Sequence, residues 1–253
     1  MSTYRWASRW REQRSPGHIV CTLTGKSGPV NPEQEKPDPD DVASALAAVS
    51  IAAGDPTGWF EELYIRAGRG EAELPWDRGT AHPLLVDWAT GRVGGARAMV
   101  VGCGPGHDAE YLAQLGFAVT AFDISPSAIS QVRARHAGSG VTYAVADLLD
   151  LPSEWSASFD LVVEAMTVQS MPRTLRSRAT AAVSSLVAPG GTLLVIGVYL
   201  PAGASLADGP PFLLTHAEVA AFGADGLVPR GVIEAETRKN EPPRYRAEFN
   251  RPA

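Results

Sequence analysis

From about residue 96 the chain alternates short β-branched apolar runs with stretches whose apolar residues recur at helical spacing. Ala98-Met99-Val100-Val101 predicts a first strand, ending in Gly102-Cys103-Gly104-Pro105-Gly106. A helix follows over about 107–115, with Tyr111, Leu112 and Leu115 on one face and Gly116 as its stop. Residues 117–122 read as a second strand, ending at Asp123. Ser125 then serves as an N-cap, with Pro126 at the first helical position, where its missing N–H costs nothing. That helix buries Ile129 and Val132, and Arg133, Arg135 and His136 complement the dipole of its last turn before Gly138. Strands at 141–145 and 159–163 end near Asp147 and at Glu164. Leu175, Ala179, Ala182, Val183 and Leu186 set another helix, and Pro189-Gly190-Gly191 leads into a fifth strand over 192–198. Strands joined by helices imply parallel pairing and a sheet covered on both faces, hence a doubly wound α/β fold. Ligands of such sheets bind outside the carboxyl ends of the strands, where the glycine loop lies.

Residues 1–48 break this pattern. Pro29, Pro32, Pro37 and Pro39 punctuate a polar run, so 25–41 is expected to be linker and 1–48 a disordered extension. The domain proper is then 49–253. The extension reads as a dispensable tail or a start placed too far upstream, with a loose resemblance to a transit peptide as the alternative. Its six basic and six acidic residues cancel, so the rest of the chain carries the whole net charge of −6. That acidic balance argues against a nucleic-acid partner. No apolar run is long enough for a membrane span. Cys21 and Cys103 suggest neither a disulfide framework nor zinc, and a cytoplasmic protein, expected to be a monomer, is the reading.

The glycine loop alone is a weak signal. In one frame it satisfies a dinucleotide fingerprint, Gly104-x-Gly106-x-x-Ala109, with Asp123 nineteen positions on, which keeps an NAD(P)-dependent oxidoreductase open. Asp123 and Asp147 at successive strand ends, with Pro189-Gly190-Gly191 before the fifth strand, shift the balance. Together these features resemble the class I S-adenosylmethionine-dependent methyltransferases, whose fold is Rossmann-like. The resemblance implies S-adenosylmethionine as cofactor, with the loop (Gly102, Cys103, Gly104, Gly106) under the methionyl moiety, Asp123 and Ile124 at the ribose, and Asp147 and Leu148 at the adenine. Asp108 either favours the helix dipole or serves the methionyl amine, and Glu164 joins the cofactor set. Val100 stands where the family commonly has an acidic residue before the loop.

The run Gly102 to Asp108 is similar to the thiopurine, thiol and halide methyltransferases. So are Pro75-Trp76-Asp77-Arg78-Gly79 with His82-Pro83, and Gly209-Pro210-Pro211-Phe212 with Glu218. A helical N-terminal lid over about 55–92 is implied, with Trp76 packed on the cofactor. The acceptor pocket is expected from Trp59, Tyr64, Met166, Gln169, Tyr199 and Phe212. Glu164-Ala165-Met166 lacks the Arg of thiopurine-type members. The expected activity is methyl transfer to a small-molecule acceptor, foremost a thiol or similarly soft nucleophile, which needs little base catalysis. O- or N-methylation of a small aromatic metabolite is the alternative; its base would come from Glu164, Tyr199, His82 or His216. A non-catalytic cofactor-binding protein is a third reading, and no metal is expected.

Overall fold

The computed structural model describes residues 37–206, 209–235 and 242–253. Among the described residues seven strands form one sheet: β1 Arg97–Val101, β2 Ala118–Asp123, β3 Thr142–Val145, β4 Phe159–Ala165, β5 Val187–Val198, β6 Val228–Ala235 and β7 Arg244–Asn250. Their order is β3-β2-β1-β4-β5-β7-β6. The first five are parallel, and β7 lies antiparallel between β5 and β6. The helices are α1 Pro39–Ala52, α2 Gly58–Gly68, α3 Pro83–Ala89, α4 His107–Gln114, α5 Pro126–Arg135, α6 Arg176–Ser185 and the single turn α7 His216–Ala220.

The central strands read as unbroken apolar runs because both of their faces are buried. Met99, Val101, Val162, Leu193 and Val195 pack on the side of α6 with Val183 and Phe222. Their neighbours Ala98, Val100, Leu161, Val163, Leu194 and Ile196 face Leu112, Ile129, Val132 and Leu85 on the side of α3, α4 and α5. Val100 is therefore a core residue, 3% exposed, and no carboxylate could stand there without a buried partner.

Three expectations change. The fifth strand begins at Val187, before the Pro-Gly-Gly turn. Phe159 pairs with Val187, the chain bulges, and pairing resumes between Leu161 and Thr192. Two further strands follow residue 222, beyond the reach of the sequence motifs. Residues 39–48 of the supposed disordered extension are helical. Pro39 occupies the first turn of α1, where proline is tolerated, and the Asp38 side chain accepts the Asp40 N–H at 3.0 Å. Ala43 and Ala47 are buried against Trp59 and Leu63 of α2, with Val42, Leu46 and Ile51 half-buried around them. The prolines that suggested a linker thus include the start signal of a helix. Residues 1–36 lie outside the described residues.

The α1–α2 pair is tied to the sheet domain by Glu61. Its carboxylate accepts from the Ser125 hydroxyl and from the Ser127 hydroxyl and N–H, the last two at 2.7 and 3.1 Å. Burial opposes ionisation there, but these donors outweigh it and hold the carboxyl below its usual range. Gln131 adds a bond from its amide to the Tyr64 carbonyl at 2.8 Å.

Candidate functional site

A cavity opens at the carboxyl ends of β1, β2, β3 and β4, roofed by α1, α2 and the 74–82 segment. Its position follows from topology: strand order reverses between β1 and β4, so the connections leave in opposite directions and a crevice remains. The loop after β1 forms its floor. Gly104 has φ +50°, and a side chain there would meet the Tyr64 hydroxyl at 2.9 Å and the Trp76 ring beyond it. Only glycine combines that conformation with such a close approach.

Asp123 ends β2 beside this loop and is 7% exposed. Its Oδ2 accepts the Gly104 N–H and its Oδ1 the Ser125 N–H, each at 3.0 Å. Burial pushes its pKa up to about 6, against the pull of those N–H groups, and the nearby Glu61 charge adds to the rise. Asp147 reaches the same cavity from the end of β3, exposed, with Oδ1 accepting from the Leu149 N–H at 2.8 Å. Leu148 and Ile124 complete this part of the wall.

Opposite the loop, Trp59, Phe60, Tyr64 and Trp76 form an aromatic wall. Trp59 stacks on Phe60 at 4.0 Å, and both meet Trp76 edge-on. The Trp76 indole donates to the Tyr64 hydroxyl at 2.9 Å. Cys103 also lines the cavity, and burial with the Asp123 charge raises its thiol well above the usual range, so it is no ready nucleophile.

Asp108 stands in the first turn of α4, with Oδ1 accepting the His82 N–H at 2.6 Å and forming an ion pair with Arg78 at 3.8 Å. Burial raises its pKa, countered by the Arg78 charge. His107, at the start of α4, also lines the cavity. Its Nε2 pairs with Asp77 at 2.8 Å, and Asp77 also meets Arg135 at 3.2 Å. The His107 hydrogen bond leads in drawing the Asp77 pKa down to about 2. These pairs hold the 74–82 segment down against α4 and α5.

Several expected residues lie elsewhere. Gly106 packs away from the cavity: at φ +88°, a side chain would strike Val132 at 2.4 Å and the Tyr143 hydroxyl at 2.7 Å. Glu164 is 1% exposed and turned beneath the chain that follows it, where it accepts the Val168 N–H at 2.8 Å. Burial pushes it up to about 7, yet it is not part of the wall. Gln169 is committed to the fold: Oε1 accepts the Val198 N–H at 3.0 Å, and its carbonyl accepts the Phe212 N–H at 2.6 Å. Tyr199 is stacked between Tyr245 and His216 beyond β5, and His216 itself faces solvent. His82 caps α3 through Nδ1, which accepts the Leu84 N–H at 3.1 Å. Burial, with the Arg78 and Arg244 charges, drives His82 down to about 3. Phe212 folds back on Gly209, and Pro210 and Pro211 line the cavity in its place. None of the four candidate bases therefore reaches the cavity.

Phe60, Arg78, Thr167, Ser170 and Met171, none of them among the expected binding residues, also stand in the wall. Arg78 and Phe60 stand in or beside the lid motif around Trp76, so their charge and ring were usable signals. The others carry no chemistry that marks them before the fold is known.

The methyltransferase domain family matches residues 98–191, which span β1 to the start of β5 and supply the floor of the cavity. These residues carry a methyltransferase domain, and the chain's relatives and structural neighbours support a class I S-adenosylmethionine-dependent methyltransferase. A ubiquinone biosynthesis O-methyltransferase of Xanthomonas campestris pv. campestris is 36% identical over 118 residues, 45% of this chain and 48% of that protein. The chain thus spans about half the length of this relative. Thiocyanate methyltransferase 1 of Arabidopsis thaliana is 26% identical over 207 residues, 81% of this chain and 84% of its own. A structure solved in work on the conversion of a disulfide bond into a thioacetal group during echinomycin biosynthesis has a TM-score of 0.62. It is 25% identical and covers 76% of this chain and 91% of its own. Among the described residues no group of His, Cys, Asp and Glu could hold a metal, and no helix is long and apolar enough to cross a membrane.

Proposed function

We propose that this chain transfers the methyl group of S-adenosylmethionine to a small thiol or a similarly soft sulfur nucleophile. The donor fits the residues present: Gly102, Cys103 and Gly104 of the loop line the cavity, and carboxylates stand at the ends of β2 and β3. Asp123 would accept two ribose hydroxyls and Asp147 an adenine amino hydrogen. Asp108 would face the amino group of the methionyl head, and Arg78, the one Lys or Arg among the described lining residues, its carboxylate. Trp76 and Tyr64 would cover the sulfonium, where cation–π attraction adds ~0.5–2 kcal/mol. The donor brings a methyl group already activated by its positive sulfur, so the protein's part is alignment and exclusion of water.

The observation that carries the sulfur reading is the far end of the cavity. Beyond β1 the wall is Met166, Met171, Pro210 and Pro211, with two hydroxyls, both committed. Thr167 donates to the Val101 carbonyl at 3.0 Å, and Ser170 to the Met166 carbonyl at 2.8 Å. Among the described residues no acid or base lines that end. A phenol or amine acceptor needs a positioned base, whereas a thiol of pKa ~8.5 supplies thiolate at neutral pH by itself. The thiocyanate methyltransferase relative supports this reading, and the ubiquinone-pathway relative the oxygen one.

The test is turnover of S-adenosylmethionine with ethanethiol, benzenethiol, phenol and catechol, followed by S-adenosylhomocysteine release. Thiol turnover well above phenol turnover is expected; turnover confined to the phenols would replace the sulfur reading with the oxygen one. Calorimetric titration should give binding of S-adenosylhomocysteine and none of NADH.

The affinity for S-adenosylhomocysteine should also depend on pH. Ribose hydroxyls donate to the ionised Asp123, so affinity should fall about tenfold per unit below pH 6 and be level above 7. Stability of the unliganded protein runs the other way. An unfolded Asp ionises near ~3.9, so between about pH 4 and 6 the folded state keeps the extra proton, and the stability this lends is lost as pH rises through 6. Titrations from pH 5 to 8 on wild type and Asp123→Asn check the slope, which the variant should lack.

A further inference from the structure

Met166 has φ +68°, in the left-handed region that L side chains other than Asn and Asp seldom occupy. The strained backbone is pinned on both sides. Its N–H donates to the Ile196 carbonyl at 2.9 Å, and its carbonyl accepts the Ser170 hydroxyl at 2.8 Å. The chain must turn here, from the end of β4 into the short helical turn Val168–Ser170, and glycine would make that turn without strain. The side chain is not spent on the core: Met166 lines the cavity, between Ala165 and Thr167 and on the same wall as Met171, Pro210 and Pro211. Strain retained at a cavity wall points to use of the side chain rather than of the turn.

We infer that Met166 sets the size of the acceptor, its thioether filling the space that a bulky or aromatic acceptor would need. The inference rests on the methyl-transfer reading and refines it, making the acceptor a small unbranched thiol. Methionine suits the task because its unbranched, polarisable chain conforms to an irregular gap, while the fixed backbone decides where that chain starts.

The experiment compares kcat/KM for benzenethiol and ethanethiol in wild type, Met166→Gly and Met166→Leu. Met166→Gly should raise the benzenethiol-to-ethanethiol ratio about tenfold or more, the scale on which a few side-chain atoms discriminate in an apolar pocket. Met166→Leu, which keeps the volume, should stay within about threefold of wild type. The thermal midpoint of Met166→Gly should not fall, since relief of strain offsets lost packing. An unchanged ratio in Met166→Gly with the melting transition intact overturns the inference. So does a loss of S-adenosylhomocysteine affinity with both thiols slowed alike, which would make Met166 a support of the donor. If wild type turns over phenols but no thiol, the sulfur reading fails separately; the ratio of 2-naphthol to phenol then tests Met166 by the same criterion.

Discussion

Replacing Asp123 with alanine should weaken S-adenosylhomocysteine binding by about 100-fold or more and leave the fold intact. The expected loss has two parts. Two hydrogen bonds from ribose hydroxyls to a buried carboxylate are each worth about 1.5–3 kcal/mol. The same carboxylate also accepts the Gly104 and Ser125 N–H groups, so its removal frees the glycine loop from the end of β2. Stability should change little by comparison, because the buried carboxylate is itself costly, as its pKa of about 6 records. Asp147→Ala should cost about tenfold, since that carboxylate is exposed and competes with water. Calorimetric titration of both variants, with a thermal melt of each, decides the matter. Normal binding by Asp123→Ala would move the donor site away from β2.

Trp59→Ala should be the most destabilising change in the roof of the cavity, at about 3–5 kcal/mol for loss of a buried tryptophan. Trp59 is 2% exposed, stacked on Phe60, and packed against Ala43, Ala47 and Leu63, which together form a small core separate from the sheet. That core joins the rest through Glu61 and Gln131 rather than through continuous apolar packing. The damage should therefore be local. Amide exchange over residues 39–68 should speed up, exchange in β1, β4 and β5 should be unchanged, and S-adenosylhomocysteine affinity should drop as the aromatic wall loosens. A uniform rise in exchange across the sheet would show that the roof and the sheet unfold as one unit.

The role given to α1 also reverses an expectation about the start of the chain. Reading Pro37 and Pro39 as breakers placed the whole of 1–48 outside the domain. Yet a proline at a helix start costs nothing, and the spacing of Ala43, Ala47 and Ile51 then carries a buried face. Ala43 reaches the cavity wall itself. The small residues of α1 gave little periodic signal because alanine is apolar without being bulky. Only the presence of Trp59 beneath it makes that face a packing surface.

The sequence by itself determined the parallel half of the sheet and the floor of the cavity. Those features depend on local rules: apolar runs for strands buried on both faces, Ser125 and Pro126 for the start of α5, glycines where φ is positive, and carboxylates at strand ends. Neighbours in sequence suffice to read them. The acceptor end was decided by the tertiary structure. Whether Glu164 or Met166 faces the cavity depends on how the chain turns after β4, and that turn is held by the Ile196 carbonyl, thirty residues away. Tyr199, His216 and His82 carry chemistry in the sequence, but stacking, exposure and helix capping use it elsewhere. Arg78 and His107 reach the wall because Asp77, Asp108 and Arg135 draw distant segments together. Residue type declares what a side chain can do, and only packing across the sheet decides which way it points.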